Sequence, residues 1–166
     1  MLRELSLADA LIVCSSMRPE DAACVRAATG RDPGEWFAIE RWQSHGPAWT
    51  LLQDGEPWAI GGLALRNGWA GVLWVVCRPG MRAQSWRKAL RQTRTVIARA
   101  LDASNPEQRH RIEAHVLQGW AGASGFAGRL GLALEGVMQQ AGAQGESIEV
   151  WAATGPTKGA TCRVDT

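Results

Sequence analysis

Between residues 48 and 102 the sequence changes period, and this change constrains the fold more than any other feature of the chain. AWTLLQ, WAIGGLAL and WAGVLWVV are runs of strand-forming residues separated by turns at Asp54-Gly55 and Asn67-Gly68. Both dipeptides supply the positive backbone angles that tight hairpins require. Three such runs in succession predict an antiparallel meander. From 82 to 102 the apolar residues recur at helical spacing instead: Trp86, Leu90, Thr93, Ile97 and Leu101 share a stripe, with Arg87, Arg91 and Arg94 opposite. A meander that leads straight into a long amphipathic helix points to a helix packed back onto a sheet.

The flanks extend this pattern. MLREL (1–5) reads as a short strand, LADALIVCSSM as a helix, and RPEDAACVRAATG as a second helix started by Pro19, with Glu20 and Asp21 in its first turn and Gly30 as its stop. Residues 34 to 43 add a helical turn or two. After the long helix, RIEAHVL alternates as a strand, GWAGASGFAGRL reads as a glycine-interrupted helix, and ALEGVMQQ with SIEVWAAT form a closing hairpin around AGAQG. The predicted class is α/β (α+β), with a mixed, mostly antiparallel sheet of six to seven strands and helices on both faces. At 166 residues, 46% of them apolar, one domain over 1–154 is expected, followed by a tail at 155–166 that carries no period.

Charge and cysteine usage narrow the function classes. A net charge of +2 does not argue for nucleic acid, although nine of the eighteen basic residues fall between Arg78 and Arg111. Cys14, Cys24, Cys77 and Cys162 show no CxxC or Cys/His pairing, so neither a metal site nor a redox motif is expected, and reduced thiols in a cytosol fit this usage. No apolar run approaches the roughly 18 residues needed to span a bilayer. The Arg87, Arg91, Arg94 stripe, with Lys88, reads either as a contact for phosphate or an acidic neighbour, or as a solvated face. Nine tryptophans read equally as core filling or as an exposed interface. The five glycines from Gly119 to Gly131 each weaken a helix by up to ~1 kcal/mol relative to alanine, so that helix must be held by packing.

The element order resembles the GNAT N-acetyltransferase superfamily, most closely in GFAGRLGLALEGVMQQAGAQGESIEVWA (125–152), where Leu130-Gly131-Leu132 stands at the family's Leu-Gly-Phe turn. A narrower likeness lies in MRPEDAACVRAATGRDP (17–33) and AWTLLQDGEPWAIGGL (48–63). Both are similar to acetyltransferase-fold proteins encoded beside the structural genes of tailed phages, a group that includes virion-assembly and internal-core proteins of podophages.

The resemblance implies a bulged strand before the long helix, splayed from its parallel neighbour, whose exposed backbone pairs with the pantetheine arm of acetyl-CoA. By position that backbone is Val75, Val76 and Cys77. It implies pyrophosphate on the helix N-terminus in the turn CRPGMRAQ. Against the family's Gln/Arg-x-x-Gly-x-Gly/Ala, counted from Arg78, the chain matches at Arg78 and Ala83, has Met81 where glycine is wanted, and brings Gly80 one residue early. Arg82 adds charge, and Pro79 removes an amide donor. The cofactor-binding candidates are therefore Val75, Val76, Cys77, Arg78, Gly80, Arg82 and Ala83.

Many members carry a tyrosine acid on the helix before the Leu-Gly-Phe turn; that position is Ala127, and the chain has no tyrosine. Catalytic candidates are Glu113 and His115, which alternation places on one face of RIEAHVL, beside the expected splay. Ser124 reads as a thiol or phosphate contact or as a helix cap, and His45 and His110 fall in loops.

Together these readings lead to a phage-encoded acetyltransferase-fold protein with degenerate catalytic motifs. It is expected in the host cytoplasm or virion, acting through contacts with phage structural or assembly proteins or with its own copies. The alternative is an active acetyl-CoA-dependent N-acyltransferase.

Overall fold

The computed structural model describes residues 2–156. Twelve elements follow in chain order: β1 (Leu2–Glu4), α1 (Leu7–Ser15), α2 (Pro19–Thr29), α3 (Glu35–Gln43), β2 (Ala48–Gln53), β3 (Glu56–Leu65), β4 (Ala70–Cys77), α4 (Ala83–Leu101), β5 (Arg111–Leu117), α5 (Ala121–Leu130), β6 (Ala133–Met138) and β7 (Ile148–Thr154). The strands form a seven-stranded sheet in the order β1-β2-β3-β4-β5-β7-β6. Every pairing is antiparallel except β4 with β5. This is the mixed, mostly antiparallel sheet expected. The tail reading lies, from residue 157 onward, outside the described residues.

Strand alternation divides the core between the two faces. Ile60 and Val76 join Val13, Ala10, Val25, Phe37 and Ala38 under α1, α2 and α3. Leu63, Leu73, Ile112 and Ala114 turn the other way and pack with Ile97 of α4 and Leu130 of α5. The predicted α4 stripe faces the sheet: Leu90 and Leu101 pack against this second cluster, and Trp86 packs around Cys77.

Three local expectations differ from what is observed. Residues 35–43 form a complete nine-residue helix rather than a turn or two. At Asp54-Gly55 both residues take positive φ, 55° and 87°, but the second turn closes differently: the Asn67 carboxamide accepts N–H bonds from Trp69 and Ala70 at 3.0 and 2.8 Å. The asparagine side chain does there what a primed backbone turn would do. Finally, β4 keeps one register with β3 from Ala59–Cys77 to Leu65–Gly71, so the bulge implied for β4 is missing from that ladder. The register shifts fall in β2 at Leu51/Leu52 and in β6 at Leu134/Gly136.

Candidate functional site

β4 and β5 pair at Ala70–Arg111, Gly71–Ile112 and Val72–Glu113. Beyond Val72 the strands part, and a cavity of about 1090 Å³ opens between them. Leu73, Val75, Ala114 and Val116 line it from the strands, Trp86 and Phe126 from α4 and α5, and Val25 and Phe37 from α2 and α3. The splay that the family resemblance implies is therefore present, without the bulge.

Backbone direction along β4 follows from the antiparallel ladder. The Arg78 N–H donates to the Trp58 carbonyl at 2.8 Å, so Val76 spends its polar groups on β3 while Val75 and Cys77 turn theirs toward the gap. At Cys77 that edge is already used. Its N–H donates to Asp21 Oδ2 at 2.9 Å, and its carbonyl accepts the Arg18 N–H at 2.9 Å. Pro19 at the first position gives α2 an abrupt start, and this delivers Asp21 to the strand end.

Asp21 is 2% exposed and receives the Arg18 guanidinium at 2.5 and 3.1 Å. Burial pushes its pKa above the ordinary carboxylate value, outweighing the opposite pull of Arg18 and of the Cys77 N–H. The same guanidinium lies 5.3 Å from the Trp86 ring and 5.1 Å from the Trp120 ring. Arg18 thus bridges the first turn of α4 and the residue that caps α5. Neither Arg18 nor Asp21 was a candidate from sequence; two acids in a first turn read as ordinary complements to the helix dipole.

The turn before α4 is similarly engaged. Gly80 takes φ +84°, a conformation that explains a glycine there. The Arg82 N–H and the Ser85 hydroxyl both donate to Gln53 Oε1, at 3.0 and 2.8 Å. A buried amide oxygen therefore sits at the helix N-terminus, where an anion would otherwise be favoured. Arg78 stacks over Trp58 at 4.6 Å and donates to the Pro57 carbonyl at 3.0 Å, while Arg82 pairs with Asp54. Both cations are committed to the β2–β3 side. Since α4 begins at Ala83, counting the phosphate pattern from Arg82 puts its glycine positions at Ser85 and Arg87. Counting from Arg78 puts Met81 there, so neither register provides the bare backbone that a close phosphate approach needs. With the Cys77 edge, the Arg82 amide and both arginines engaged, these residues do not fit acetyl-CoA in the way the resemblance implies. Of Val75, Val76 and Cys77, Val75 keeps its edge toward the gap.

Glu113 and His115 are brought together. His115 Nε2 lies 3.3 Å from Glu113 Oε2, and the ring lines the cavity. Glu113 is 8% exposed; it accepts from Arg111 Nε at 2.5 Å and from Arg66 Nη1 at 3.3 Å, and Arg111 also pairs with Glu135. The Arg111 hydrogen bond, more than any other influence, holds the Glu113 pKa below the ordinary value. Such a carboxylate orients His115 and takes up a proton poorly. Ala127 is buried in the cavity wall. The Ser124 hydroxyl lies inside α5, where it donates to Glu149 at 2.6 Å instead of capping the helix. Burial pushes the Cys14 and Cys77 thiols up to about 12, which leaves them unreactive near neutral pH. Among the described residues no group of His, Cys, Asp and Glu could hold a metal ion, and no helix is long and apolar enough to cross a membrane.

No family profile matches the chain, and no curated protein does. Among solved structures it is similar to an N-acetyltransferase from Staphylococcus aureus (TM-score 0.70, 12% identity, covering 93% of this chain and 97% of that one). It is also similar to the ribosomal-protein-S18-alanine N-acetyltransferase from Escherichia coli (0.69, 13%, 97% of each chain). A third likeness is to a Salmonella typhimurium acetyltransferase solved with acetyl-CoA (0.68, 12%, 96% of each chain). Identities this low establish the fold: the chain has the GNAT acetyltransferase architecture.

Proposed function

We propose that this chain is a phage-encoded protein on the GNAT fold that works by contact with virion or assembly proteins, with its acyl-transfer machinery disabled. The observation that carries the reading is the pair of hydrogen bonds by which α2 takes both polar groups of Cys77. The absence of tyrosine and the buried Ala127 agree with it, because general-acid help is worth about 10²- to 10⁴-fold. Surface available for contacts includes Trp69 at 59% exposure, and Leu134 and Met138 on the edge strand β6 at 50% and 40%. An edge strand with exposed apolar groups suits pairing with another chain or a second copy. The test is mass spectrometry of purified particles together with tagged pull-down from infected cells. Recovery with a capsid or tail component supports the reading, and absence from both overturns it.

A second reading, an acetyl-CoA-dependent N-acyltransferase served by Glu113 and His115, is favoured by the splay beyond Val72 and by the outward edge of Val75. Release of CoA in the presence of amine acceptors would support it. Unchanged turnover in Glu113→Ala and His115→Ala would clear both residues of a catalytic role.

A further inference from the structure

α4 and α5 carry Arg87, Lys88, Arg91, Arg94, Arg99 and Arg129, six of the eighteen basic residues, and none of the sixteen acidic ones. Twelve basic and sixteen acidic residues remain, so the rest of the chain is net negative, and the overall +2 averages two unlike regions. Both helices pack on the same face of the sheet, which gathers these cations on one side of the molecule. Neither reading above uses them.

Arg87, Arg91 and Arg94 follow one another at i, i+4 and i+7, a row about 10 Å long on the solvent side of α4. All three are exposed, as is Arg129 on α5, and with Thr95 and Ala98 the three of α4 border a shallow depression of about 510 Å³. Arg94 Nε donates to the Arg129 carbonyl at 2.6 Å, which ties the row to the last turn of α5. Among the described residues none of Arg87, Lys88, Arg91, Arg94 and Arg129 pairs with a carboxylate. Neighbours along the row repel one another, and α4 has no acid in its first turn to complement its dipole. An external anion would relieve both costs.

We infer that this face binds the phosphate backbone of a nucleic-acid duplex, without regard to sequence. The partner follows from what the face lacks. Among the described residues the exposed large apolar side chains are Ile12, Trp42, Trp69, Leu134 and Met138, none of them on α4 or α5. A protein partner would need an apolar centre, a lipid surface an apolar face to take up, and a single strand aromatic platforms for its bases. A duplex needs only cations: it presents one charge per about 1.7 Å of its axis, and arginine meets phosphate through two parallel N–H bonds.

In the experiment a fluorescein-labelled DNA duplex of about 20 base pairs is titrated with the full-length protein and followed by fluorescence anisotropy, at about 50 and about 200 mM NaCl. Phosphate contacts by Arg87, Arg91, Arg94 and Arg129 predict a salt slope of about −3.6, so binding that saturates at the lower salt weakens about 10²-fold at the higher. A second duplex of unrelated sequence is expected to bind within about threefold of the first. Arg87→Gln/Arg91→Gln halves the slope, whereas Arg26→Gln/Arg31→Gln, an equal loss of charge from α2 and the loop after it, leaves it unchanged. Each variant is checked for fold by circular dichroism, and if the α4 variant fails to fold, Arg129→Gln serves in its place and lowers the slope by about 0.9. No saturable binding at the lower salt, a slope unmoved by the α4 or α5 variant, or an equal effect of Arg26→Gln/Arg31→Gln overturns the inference. So does displacement of the duplex by millimolar adenosine 3′,5′-bisphosphate, or tighter binding of polyglutamate or of phosphatidylserine vesicles.

Discussion

Arg18→Gln is the sharpest single perturbation of the seal between α2 and β4. It removes two charge-assisted hydrogen bonds to Asp21, at 2.5 and 3.1 Å, and the stacking on Trp86 and Trp120. What remains is a carboxylate 2% exposed that holds the Cys77 N–H and no cation. Removing one member of a buried pair costs about 3 to 5 kcal/mol. Arg18 keeps a quarter of its side chain exposed, which lets some water in, so about 4 kcal/mol is expected in urea unfolding at pH 7 followed by circular dichroism. For a chain of this size that is a drop of about 10 °C in Tm.

The pH dependence fixes the cause. Burial already raises the Asp21 pKa, and losing Arg18 raises it further. A carboxyl whose folded pKa lies above its unfolded one contributes stability that is full below the unfolded value and lost as pH rises through the folded value. Arg18→Gln should therefore regain stability on acidification from neutral pH. Arg18→Gln/Asp21→Asn, which leaves no buried charge, should recover about 2 kcal/mol of the loss at pH 7. A cost below about 1 kcal/mol, or a double variant no more stable than the single one, refutes the argument that the pair is a buried, mutually dependent seal.

Glu113→Gln should cost about 2 kcal/mol at neutral pH through its bonds to Arg111 and Arg66. Because the Glu113 pKa is depressed, that stability is present above the unfolded glutamate pKa and lost as pH falls through the folded one, so the gap to wild type should close below about pH 4 in the same unfolding assay. At Gly46, φ is +118° and a Cβ would lie 2.1 Å from the Leu63 carbonyl oxygen; Gly46→Ala should cost at least about 2 kcal/mol, checked by thermal unfolding. Cys14 and Cys77, with thiols pushed up to about 12 by burial, should stay unmodified by a thiol reagent in the native protein at pH 8 and react only in denaturant, as read by peptide mass mapping.

The features legible in the sequence were those that depend on near neighbours. The helical period of α4, the Pro19 start and Gly30 stop of α2, and the alternation that put Glu113 and His115 on one face are all local patterns. The close approach of β4 and β5 followed from the family resemblance, because parallel neighbours are joined only through an intervening helix. What escaped is non-local. Asp21 and Cys77 lie 56 residues apart, and Gln53 reaches Arg82 across 29. A glutamine closing β2 carries no mark that its oxygen will cap a helix two strands later. The tryptophans resolve into a mixture: Trp49 is buried, and Trp42 and Trp69 are exposed. The glycines of α5 divide too: a Cβ at Gly128 would touch the Trp151 ring at 3.6 Å, while one at Gly125 would meet nothing within 4 Å.

The central claim is that α2 occupies the strand edge and Gln53 the helix end that a pantetheine-pyrophosphate chain would need. Calorimetric titration of the wild-type protein with acetyl-CoA tests it directly. The account predicts no saturable heat and no rise in Tm at millimolar acetyl-CoA, where a ligand at a hundred times its Kd would add about 2.7 kcal/mol. Saturable one-to-one binding that is lost when Val75 is replaced by proline, which removes the N–H that Val75 turns toward the gap, would contradict it.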